Sequence, residues 1–477
     1  FFILIIIAVL IAGIHNLGSS THASGNQGFF FSLGNSLTGA VVSEEIFVEE
    51  DLGPLDDISI EAEGDEDTTN WNVSIPGIEW VLFPDLDTDS AGNVFMTGTS
   101  VDSGFSTLVS YVTKIYANGT HDTTNWNKTE PSNTGDGFMR VKVDSNDEIY
   151  YLQALNTGTT DYGAIKKYSN DGILNSTWNF NLTGEFEDNQ TDAWDMAIDS
   201  NDNLFVVGSG RYGVDTGDNN LFIKKYLAID ATEDPTWNYS LDLGNLDIFS
   251  NIVVDSNDNV IAAGSVNIGN NIWFLQKHNN SSDVQWNMTF PVTDPDADIP
   301  QALAVDSNND IYIGGYGVNL TAPGSERDWR LKKVLANGSE DLTWNKSFSG
   351  GTGNAESVKD ISIDSNDNIY VTGTMNISGK MQWMIKKFNT SGSEDGTLWN
   401  KTFDIGTLAT SADSIVTDSS GNVFSVGVGG GAGSELDTGL WGGPATIKKF
   451  SGVNSAPVTS NVVLNATNIN NNTNQNL

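Results

Sequence analysis

Short apolar runs alternate with polar residues along most of this chain, at the two-residue period of β-strands. Between residues 193 and 241 the runs are "AWDMAI", "LFVVG", "NLFIKKY" and "TWNYSL", separated by clusters of Asp, Asn, Gly and Pro. Runs of about five β-prone residues between turn residues indicate strands joined by hairpins. After residue 70 no apolar pattern has the 3.6-residue period of a helix. The pattern predicts an all-β chain of four-stranded units, whose strands we letter a to d.

The four-stranded unit repeats seven times. An aspartate opens the turn between strands a and b, with spacings of 51 to 58 residues: Asp89, Asp144, Asp199, Asp255, Asp306, Asp364 and Asp418. A Trp-Asn pair marks strand d: Trp71, Trp126, Trp178, Trp237, Trp286, Trp344 and Trp399. A period near 50 residues is typical of solenoids and propellers.

The two ends of the repeat region complement each other. The first marker is a lone d strand at Trp71, and the last unit, residues 411–450, has strands a, b and c without d. A propeller closes its ring by pairing the first strand into the last blade, which removes free sheet edges. The sequence therefore predicts a seven-bladed β-propeller of four-stranded blades over residues 68–450, closed by the N-terminal d strand.

The repeat also resembles a known family. "DSNDNIYVTG" (Asp364 to Gly373) and "DSAGNVFMTG" (Asp89 to Gly98), each followed by a Lys-bearing strand and a Trp strand, resemble the seven-bladed β-propeller (SBBP-type) repeat of secreted prokaryotic surface proteins. The resemblance covers all seven units, although most copies have Asp where that repeat usually has a turn Gly. It implies secretion and a propeller, and no particular reaction or ligand.

The flanking segments favour an extracellular protein. Residues 1–25 contain the apolar run "FFILIIIAVLIAGI" and read as a truncated secretory signal peptide, since the run is short for a membrane span. Residues 26–67 read as an acidic linker. Residues 451–477 read as an Asn-rich linker to a missing module, or a disordered tail, and cell-surface attachment through missing modules is expected.

The net charge and the residue composition limit the kinds of partner that this chain can bind. The formal net charge of −40 disfavours nucleic acid and suits cations, basic partners or a salty medium. The chain has no cysteine, so no disulfide, thiol nucleophile or Cys-ligated metal site is possible. The expected partner is an unidentified extracellular ligand, glycan or protein.

The repeated aspartates and the strand-c lysines are expected to form structural ion pairs. Asp and Asn are the residues that a tight turn requires, and strands a and c run parallel, which places the second lysine of strand c beside the aspartate. The pairs share the unit spacing: Asp89 with Lys114, Asp144 with Lys167, Asp199 with Lys225, Asp255 with Lys277, Asp306 with Lys333, Asp364 with Lys387, and Asp418 with Lys449. A ring of lysines that binds phosphate or sulfate is the alternative.

Calcium is a second alternative for the turn. Oxygen ligands at alternate positions, such as Asp199, Asn201 and Asn203, are typical of the start of a calcium loop, but no copy continues with Gly at position six and Glu at position twelve. We therefore expect no cofactor, and at most weak calcium binding.

Strand d also carries candidate glycosylation sites. Six of the Trp-Asn asparagines begin an N-x-S/T sequon: Asn72, Asn127, Asn238, Asn287, Asn345 and Asn400. Strand d is the outer rim of a propeller, where glycans leave both faces free. Modification of some of these asparagines is expected in a secreted protein.

No catalytic constellation is marked in the sequence. His121 and His278, the two histidines of the repeat region, fall in different blades, which argues against a His-based triad or metal centre. The sequence favours a secreted or surface-attached module for adhesion, ligand binding or display. The alternative is an extracellular polysaccharide hydrolase or lyase, which a channel cluster of carboxylates beside an aromatic platform would favour, whereas small apolar channel residues would favour a scaffold.

Overall fold

The computed structural model describes the repeat region in fourteen ranges. These are residues 63–74, 81–101, 108–132, 139–156, 161–182, 191–210, 219–244, 247–267, 271–290, 300–318, 327–350, 356–405, 410–429 and 445–452. The predicted signal peptide, nearly all of the acidic linker and all but two residues of the Asn-rich segment lie outside them. No helix in the described ranges is long and apolar enough to cross a membrane.

The described secondary structure is almost entirely strand. The strands are β1 (Asn72–Ser74), β2 (Val81–Thr88), β3 (Val94–Val101), β4 (Leu108–Ile115), β5 (Lys128–Ser132), β6 (Met139–Val143), β7 (Ile149–Asn156), β8 (Asp161–Tyr168), β9 (Leu174–Leu182), β10 (Thr191–Ile198), β11 (Leu204–Gly210), β12 (Asn220–Tyr226), β13 (Tyr239–Leu241), β14 (Ile248–Val254), β15 (Val260–Asn267), β16 (Asn271–His278), β17 (Val284–Phe290), β18 (Pro300–Val305), β19 (Ile311–Val318), β20 (Arg327–Val334), β21 (Lys346–Phe348), β22 (Ser357–Ile363), β23 (Ile369–Ile377), β24 (Lys380–Phe388), β25 (Lys401–Phe403), β26 (Thr410–Thr417), β27 (Val423–Gly429) and β28 (Ala445–Phe450). One short 3₁₀ helix, Pro235–Trp237, precedes β13.

These strands form seven four-stranded antiparallel sheets. Six are contiguous in sequence and make blades 1 to 6: β2–β5, β6–β9, β10–β13, β14–β17, β18–β21 and β22–β25. Blade 7 has the order β1-β28-β27-β26, so its outer strand comes from the N-terminal side of the chain. The prediction of a seven-bladed β-propeller is confirmed.

Closure of the ring depends on β1. Val73 pairs with Ile447 in antiparallel register, and Trp71 is buried in the same apolar cluster as Ile447. Glu66 forms a further bridge with Phe450, and Gly64 N–H donates to Ser451 O at 2.7 Å. The described closing segment therefore begins at Glu63, five residues before the predicted boundary, because the acidic residues just ahead of Trp71 are tied to the last blade.

The strand-d tryptophans pack in the same way in successive blades. Six of the seven lie edge-on against an aromatic residue of strand b in their own blade at centroid distances of 4.8–5.0 Å: Trp71–Phe424, Trp126–Phe95, Trp178–Tyr150, Trp237–Phe205, Trp344–Tyr312 and Trp399–Tyr370. In blade 4 the strand-b position beside Trp286 is the aliphatic Ile261. Burial of one indole contributes at most about 4–6 kcal/mol at the usual area coefficient.

The same tryptophans also join neighbouring blades. Trp126 contacts Tyr168 at the end of strand c in blade 2, and its indole N–H donates to Asn170 O in the following turn. Trp344 makes the equivalent contacts with Phe388 and Asn389 O of blade 6. The aromatic residue that ends the "IKKY" motif therefore packs on the tryptophan of the preceding blade.

Glycines on strand b admit bulky side chains from the blade before. A Cβ on Gly373 would lie 2.7 Å from Cζ2 of Trp329, and a Cβ on Gly427 would lie 2.6 Å from Cε3 of Trp383. Larger residues at these two glycines would displace an indole from the interface. The repeated Gly that ends the strand-b motif is thus a packing position.

Candidate functional site

The D-S-N-D-N segments form the hairpin corners at one face of the propeller. In blade 3, Asp199 Oδ1 accepts hydrogen bonds from the N–H groups of Asn201 and Asn203, both at 2.9 Å. The Asn203 amide returns to Asp199 Oδ2 at 2.9 Å and its Oδ1 accepts from Ala228 N–H at 3.0 Å. The first and fifth residues of the motif therefore hold the turn and anchor it to the c–d connection.

The second and fourth residues of the motif link neighbouring blades. Ser145 of blade 2 donates through its N–H (3.0 Å) and its hydroxyl (2.8 Å) to the two carboxylate oxygens of Asp202 in blade 3. The same arrangement recurs around the ring: Ser90 with Asp147, Ser200 with Asp258, Ser256 with Asn309, and Ser307 with Asp367.

The acceptor in each link has left-handed backbone geometry. Asp202 has φ 61°, and its equivalents in the other blades have φ between 58° and 80°. Blades 1 and 7 have Gly92 and Gly421 there, which suit this backbone but carry no acceptor. An Asp in place of the turn Gly therefore links its blade to the preceding blade through the hydrogen bonds from that blade's serine.

Five of the lysines expected to pair with the turn aspartate lie within salt-bridge distance of it. The Nζ–Oδ2 distances are 3.6 Å for Lys114–Asp89, 2.8 Å for Lys167–Asp144, 3.0 Å for Lys225–Asp199, 2.7 Å for Lys277–Asp255 and 3.8 Å for Lys333–Asp306. Both partners are largely buried in each pair, with side-chain exposure of 12% at most. The lysines of these five blades are thus oriented into the blade wall.

Lys387 and Lys449 have other neighbours. Lys387 pairs with Glu63 of the closing segment, while Asp364 Oδ2 accepts from the Tyr370 hydroxyl at 3.2 Å. Lys449 lies over the rings of Trp71 and Phe424, with its ammonium 5.8 and 5.6 Å from their centroids. The neighbours of Lys387 and Lys449 differ from the expected Asp364 and Asp418 because the closing segment, which contains Glu63 and Trp71, packs here and supplies a carboxylate and an indole.

Hydrogen bonds lower the pKa of two turn aspartates, Asp199 and Asp255. Burial by itself raises the pKa of Asp199, but hydrogen bonds from Asn203 and Lys225 outweigh it and lower the pKa below its usual range. The balance is the same for Asp255, where Lys277 is the main donor. These carboxylates are ionised near neutral pH.

Their oxygens are engaged by the turn itself, and among the described residues no cluster of three or more His, Asp or Glu side chains could hold a metal ion.

The two histidines occupy structural positions. His278 stands where other blades have Tyr or Phe after the paired lysines, and its ring lies 5.8 Å from that of Trp237. Its nitrogens contact Ser282 O and Gln276 Oε1, both at 3.0 Å, and burial lowers its pKa. His121 is in blade 1, where burial also lowers its pKa.

The inner a strands line the central channel and differ strongly between blades. Six of the seven have a bulge four to seven residues before the turn aspartate. A β-bulge leaves its extra residue outside the ladder and re-aims the side chain. The bulge residues are chemically diverse: Phe83 with Pro84, Trp194, Ser250, Gln301, Lys359 and Asp413. We call this set the bulge ring.

Next to the bulge ring, carboxylates clamp one a strand to the next. Asp85 Oδ2 accepts from Val141 N–H at 3.0 Å, and Asp195 Oδ2 accepts from Ile252 N–H at 2.9 Å. Asp360 Oδ2 likewise accepts from the Ile415 N–H at 2.8 Å. These three aspartates occupy the same position in blades 1, 3 and 6, so their first role is to join inner strands.

The clamp carboxylates surround a lysine. Burial by itself would lower the pKa of Lys142, but the charges of Asp85, Asp87, Asp195 and Asp360 raise it above its usual range. Arg140 of the same strand lies 3.4 Å from Asp195 through Nε. Burial, reinforced by the charge of Asp85, raises the pKa of Asp360 to about 6. Four carboxylates of the inner strands therefore act on the ammonium of Lys142.

Asp413 and Lys359 of the bulge ring both have shifted pKa values. Asp413 accepts a hydrogen bond from Ser411 in its own strand at 3.1 Å, and burial raises its pKa to about 6. Burial lowers the pKa of Lys359; the charge of Asp413 offsets part of this effect, and nearby Arg327 adds to it. Within the described ranges, no carboxylate oxygen lies within 4.0 Å of the Lys359 ammonium. An acid and a base of shifted pKa thus share the channel wall.

The sequence reasoning did not identify the channel residues. It concentrated on positions that repeat, whereas the channel set lies at positions that change: four and five residues before the turn aspartate the chain has Asp195 after Trp194, Asp360 after Lys359, and Ser414 after Asp413. The sequence did contain a signal for these residues: at one fixed position of an otherwise similar strand, the residue type changes from blade to blade.

Comparison with known proteins supports no family assignment. No family model matches the chain, and no curated protein matches it. Similar solved structures include the polysaccharide lyase Uly1 (12% identity, 77% of this chain and 89% of that chain, TM-score 0.46) and the β-propeller domain of the Trilobed protease from Pyrococcus furiosus (10%, 79% and 96%, 0.42). A third is the α-L-arabinanase of Penicillium chrysogenum complexed with arabinobiose (10%, 80% and 97%, 0.39). At these identities and TM-scores none assigns an activity to this chain.

Proposed function

We propose that this chain is an extracellular or cell-surface β-propeller that binds a saccharide at the channel and displays or adheres to it. The observation that carries the proposal is the bulge ring, in which one backbone position of the inner strands carries aromatic, amide, hydroxyl, cationic and anionic residues in different blades. A rigid scaffold with diverse groups at one concave place is typical of a ligand site.

The chemistry of the ring suits a sugar. Trp194 is half-buried and offers an apolar ring with a polar edge, while Gln301, Asp413 and Lys359 offer acceptors and donors for hydroxyl or carboxylate groups. A channel lined by small apolar residues would have favoured a passive scaffold. The combination of carboxylates with an indole instead favours a carbohydrate ligand, and it is also the combination expected of a polysaccharide hydrolase or lyase.

Secretion and surface attachment are part of this proposal. The apolar run in residues 1–25, the resemblance to the SBBP-type repeat and the excess of acidic residues support an extracellular setting. The Asn-rich segment 451–477 is then a connection toward an anchoring module.

Binding of defined oligosaccharides tests the proposal. We expect the purified chain to bind a member of a panel of neutral, uronate and sulfated oligosaccharides in isothermal titration calorimetry. Trp194→Ala and Gln301→Ala should each weaken that binding about tenfold or more, whereas Lys380→Met on the outer surface should not. Binding that all three variants retain equally would place the site away from the channel.

Polysaccharide cleavage is the second candidate, favoured by the shifted pKa values of Asp413 and Lys359. A carboxyl with a pKa of about 6 can exchange a proton near neutral pH, which general acid–base catalysis requires. Release of reducing ends or of unsaturated uronate products from the polysaccharides of the same panel measures it. Loss of release in Asp413→Asn with retained binding would show cleavage; binding without release by the unaltered chain leaves the module without this activity.

A further inference from the structure

An apolar groove lies on the outer rim between blades 3 and 4. It has a volume of about 500 Å³ and is lined by Tyr239 and Leu241 of β13, Phe274 of β16, and Val284 of β17. The d strand of blade 3 has three residues and that of blade 4 has seven, so the longer strand extends past the shorter one and forms a step.

Part of this groove is exposed apolar surface. Val284 is 42% exposed, and Leu243, at the end of the short strand, is 38% exposed. Both side chains line the groove, so its wall includes apolar surface that is open to solvent.

The groove wall itself carries a modification sequon. Asn287 and Thr289, the first and third residues of "NMT", both line the groove, and both are solvent-exposed. A sugar joined to the Asn287 amide would therefore begin inside the groove, where its apolar ring faces can contact Tyr239 and Leu241.

We infer that Asn287 is an N-glycosylation site whose first sugar residues cover the apolar groove between blades 3 and 4. In this step the Asn287 Nδ2 forms a bond to the anomeric carbon of a lipid-phosphate-linked oligosaccharide. The bond from that carbon to the donor phosphate breaks, the phosphate keeps the electron pair, and the amide proton is lost to a base of the transferase. The inference goes beyond saccharide binding in the channel and requires only an N-glycosylating secretory route.

The other sequons provide internal comparisons. Asn345 is half-buried, and its Nδ2 donates to Glu340 Oε1 at 2.7 Å, an oxygen that also pairs with Lys332 Nζ at 2.6 Å. Its amide is thus committed to an ion-pair network. Asn127 is exposed and does not line the groove. Asn287 is therefore expected to be modified more fully than Asn345. A glycan on Asn127 would have no groove to cover.

The first experiment measures occupancy. The full chain is secreted from cultured eukaryotic cells, and each sequon is quantified by peptide mass spectrometry after enzymatic deglycosylation in ¹⁸O water. We expect Asn287 to be occupied in most molecules and Asn345 to be occupied several-fold less. An unmodified Asn287, or equal occupancy at Asn345, would overturn the inference.

The second experiment measures coverage of the groove by fluorescence of an apolar dye. Asn287→Gln, or Thr289→Ala if that variant does not fold, should raise dye fluorescence about twofold, and Asn127→Gln should leave it unchanged. Trimming every glycan to its first sugar should keep the fluorescence of the unaltered chain low. Equal fluorescence of the Asn287→Gln and Asn127→Gln proteins would contradict coverage. Oligosaccharide binding in the channel should be the same in both variants, so the two proposals can fail separately.

Discussion

Burial decides the energetic weight of each ion pair at the scale of single residues. The Lys277–Asp255 side chains are 4% and 0% exposed, whereas those of Lys380 and Asp404 are 27% and 44% exposed. Separating a buried pair leaves an uncompensated charge in the blade wall, while an exposed pair is replaced by water at little cost. The repeated lysines therefore affect stability far more than lysines of the outer surface.

We predict that Lys277→Met lowers the free energy of unfolding by about 3 kcal/mol because Asp255 stays buried without its cation. Lys380→Met, the matched surface change, should lower it by less than about 1 kcal/mol. Urea unfolding followed by tryptophan fluorescence measures both. Equal effects of the two substitutions would contradict the structural role of the strand-c lysines.

The channel carboxyl of Asp413 should give stability an unusual pH dependence. Its pKa is about 6 in the folded protein, above the value of 3.8 for an ordinary aspartate. The folded state therefore binds more protons than the unfolded state between about pH 4 and pH 6, so this group's contribution to stability falls as pH rises through that window. Asp360 acts in the same direction.

Thermal unfolding between pH 5 and pH 7 tests this sign. Going from pH 7 to pH 5 should stabilise the unaltered protein relative to Asp413→Asn by about 1 kcal/mol, because the carboxyl gains most of its proton in the folded state over this range. The turn aspartates Asp199 and Asp255, whose pKa values are lowered, lose their contribution only below about pH 4. The other titrating groups are the same in both proteins and cancel in the comparison. Parallel curves for the two proteins over this range would show that Asp413 is not shifted.

The a–b hairpins are more than connections between strands. In blades 2 to 5 each hairpin presents a serine to one neighbouring blade and an acceptor to the other. The acceptor in blade 5, Asn309, accepts both bonds with one amide oxygen. An amide is therefore sufficient at this position, and the loss of any side-chain acceptor should separate the corners of two blades.

We predict that Asp202→Asn changes the free energy of unfolding by less than about 0.5 kcal/mol. Asp202→Gly should lower it by about 1–2 kcal/mol, because two bonds from Ser145 are lost while some backbone strain is relieved. Urea titration provides the values, and Ser145→Ala should reproduce part of the glycine effect. A glycine variant as stable as the unaltered chain would mean that the link carries no free energy.

The whole ring depends on one three-residue strand. β1 supplies the fourth strand of blade 7, Trp71 fills the core between blades 7 and 1, and Lys448 pairs with Glu66 ahead of it. A propeller that loses its closing strand exposes both a sheet edge and an apolar core. Closure is therefore a property of the molecule and not of any blade.

Removal of residues 1–74 should abolish cooperative unfolding, whereas removal of residues 1–62, which retains the closing segment from Glu63, should preserve it. Circular dichroism during heating and size-exclusion chromatography measure the outcome. If both truncated chains unfold in one transition at the same temperature, the ring is held by contacts other than β1.

The repeat positions were predictable because the same local physics acts seven times. Alternation of apolar and polar residues, turn chemistry and the complementary chain ends were sufficient to predict the blade count, the strand order and closure by Trp71. The contacts of Glu63 with Lys387 and of Tyr370 with Asp364 could not be predicted in this way, because they depend on how the closing segment packs against blade 6.

By itself the sequence determined the architecture of this protein, because periodic patterns and propensities act over short distances along the chain. Only the tertiary structure decided the candidate site. Asp413 and Lys359 come from adjacent blades, Trp194 from another, and no local pattern relates them until ring closure brings seven inner strands around one channel. The groove beside Asn287 likewise depends on the packing of two blades, because its wall combines residues of β13 with residues of β16 and β17.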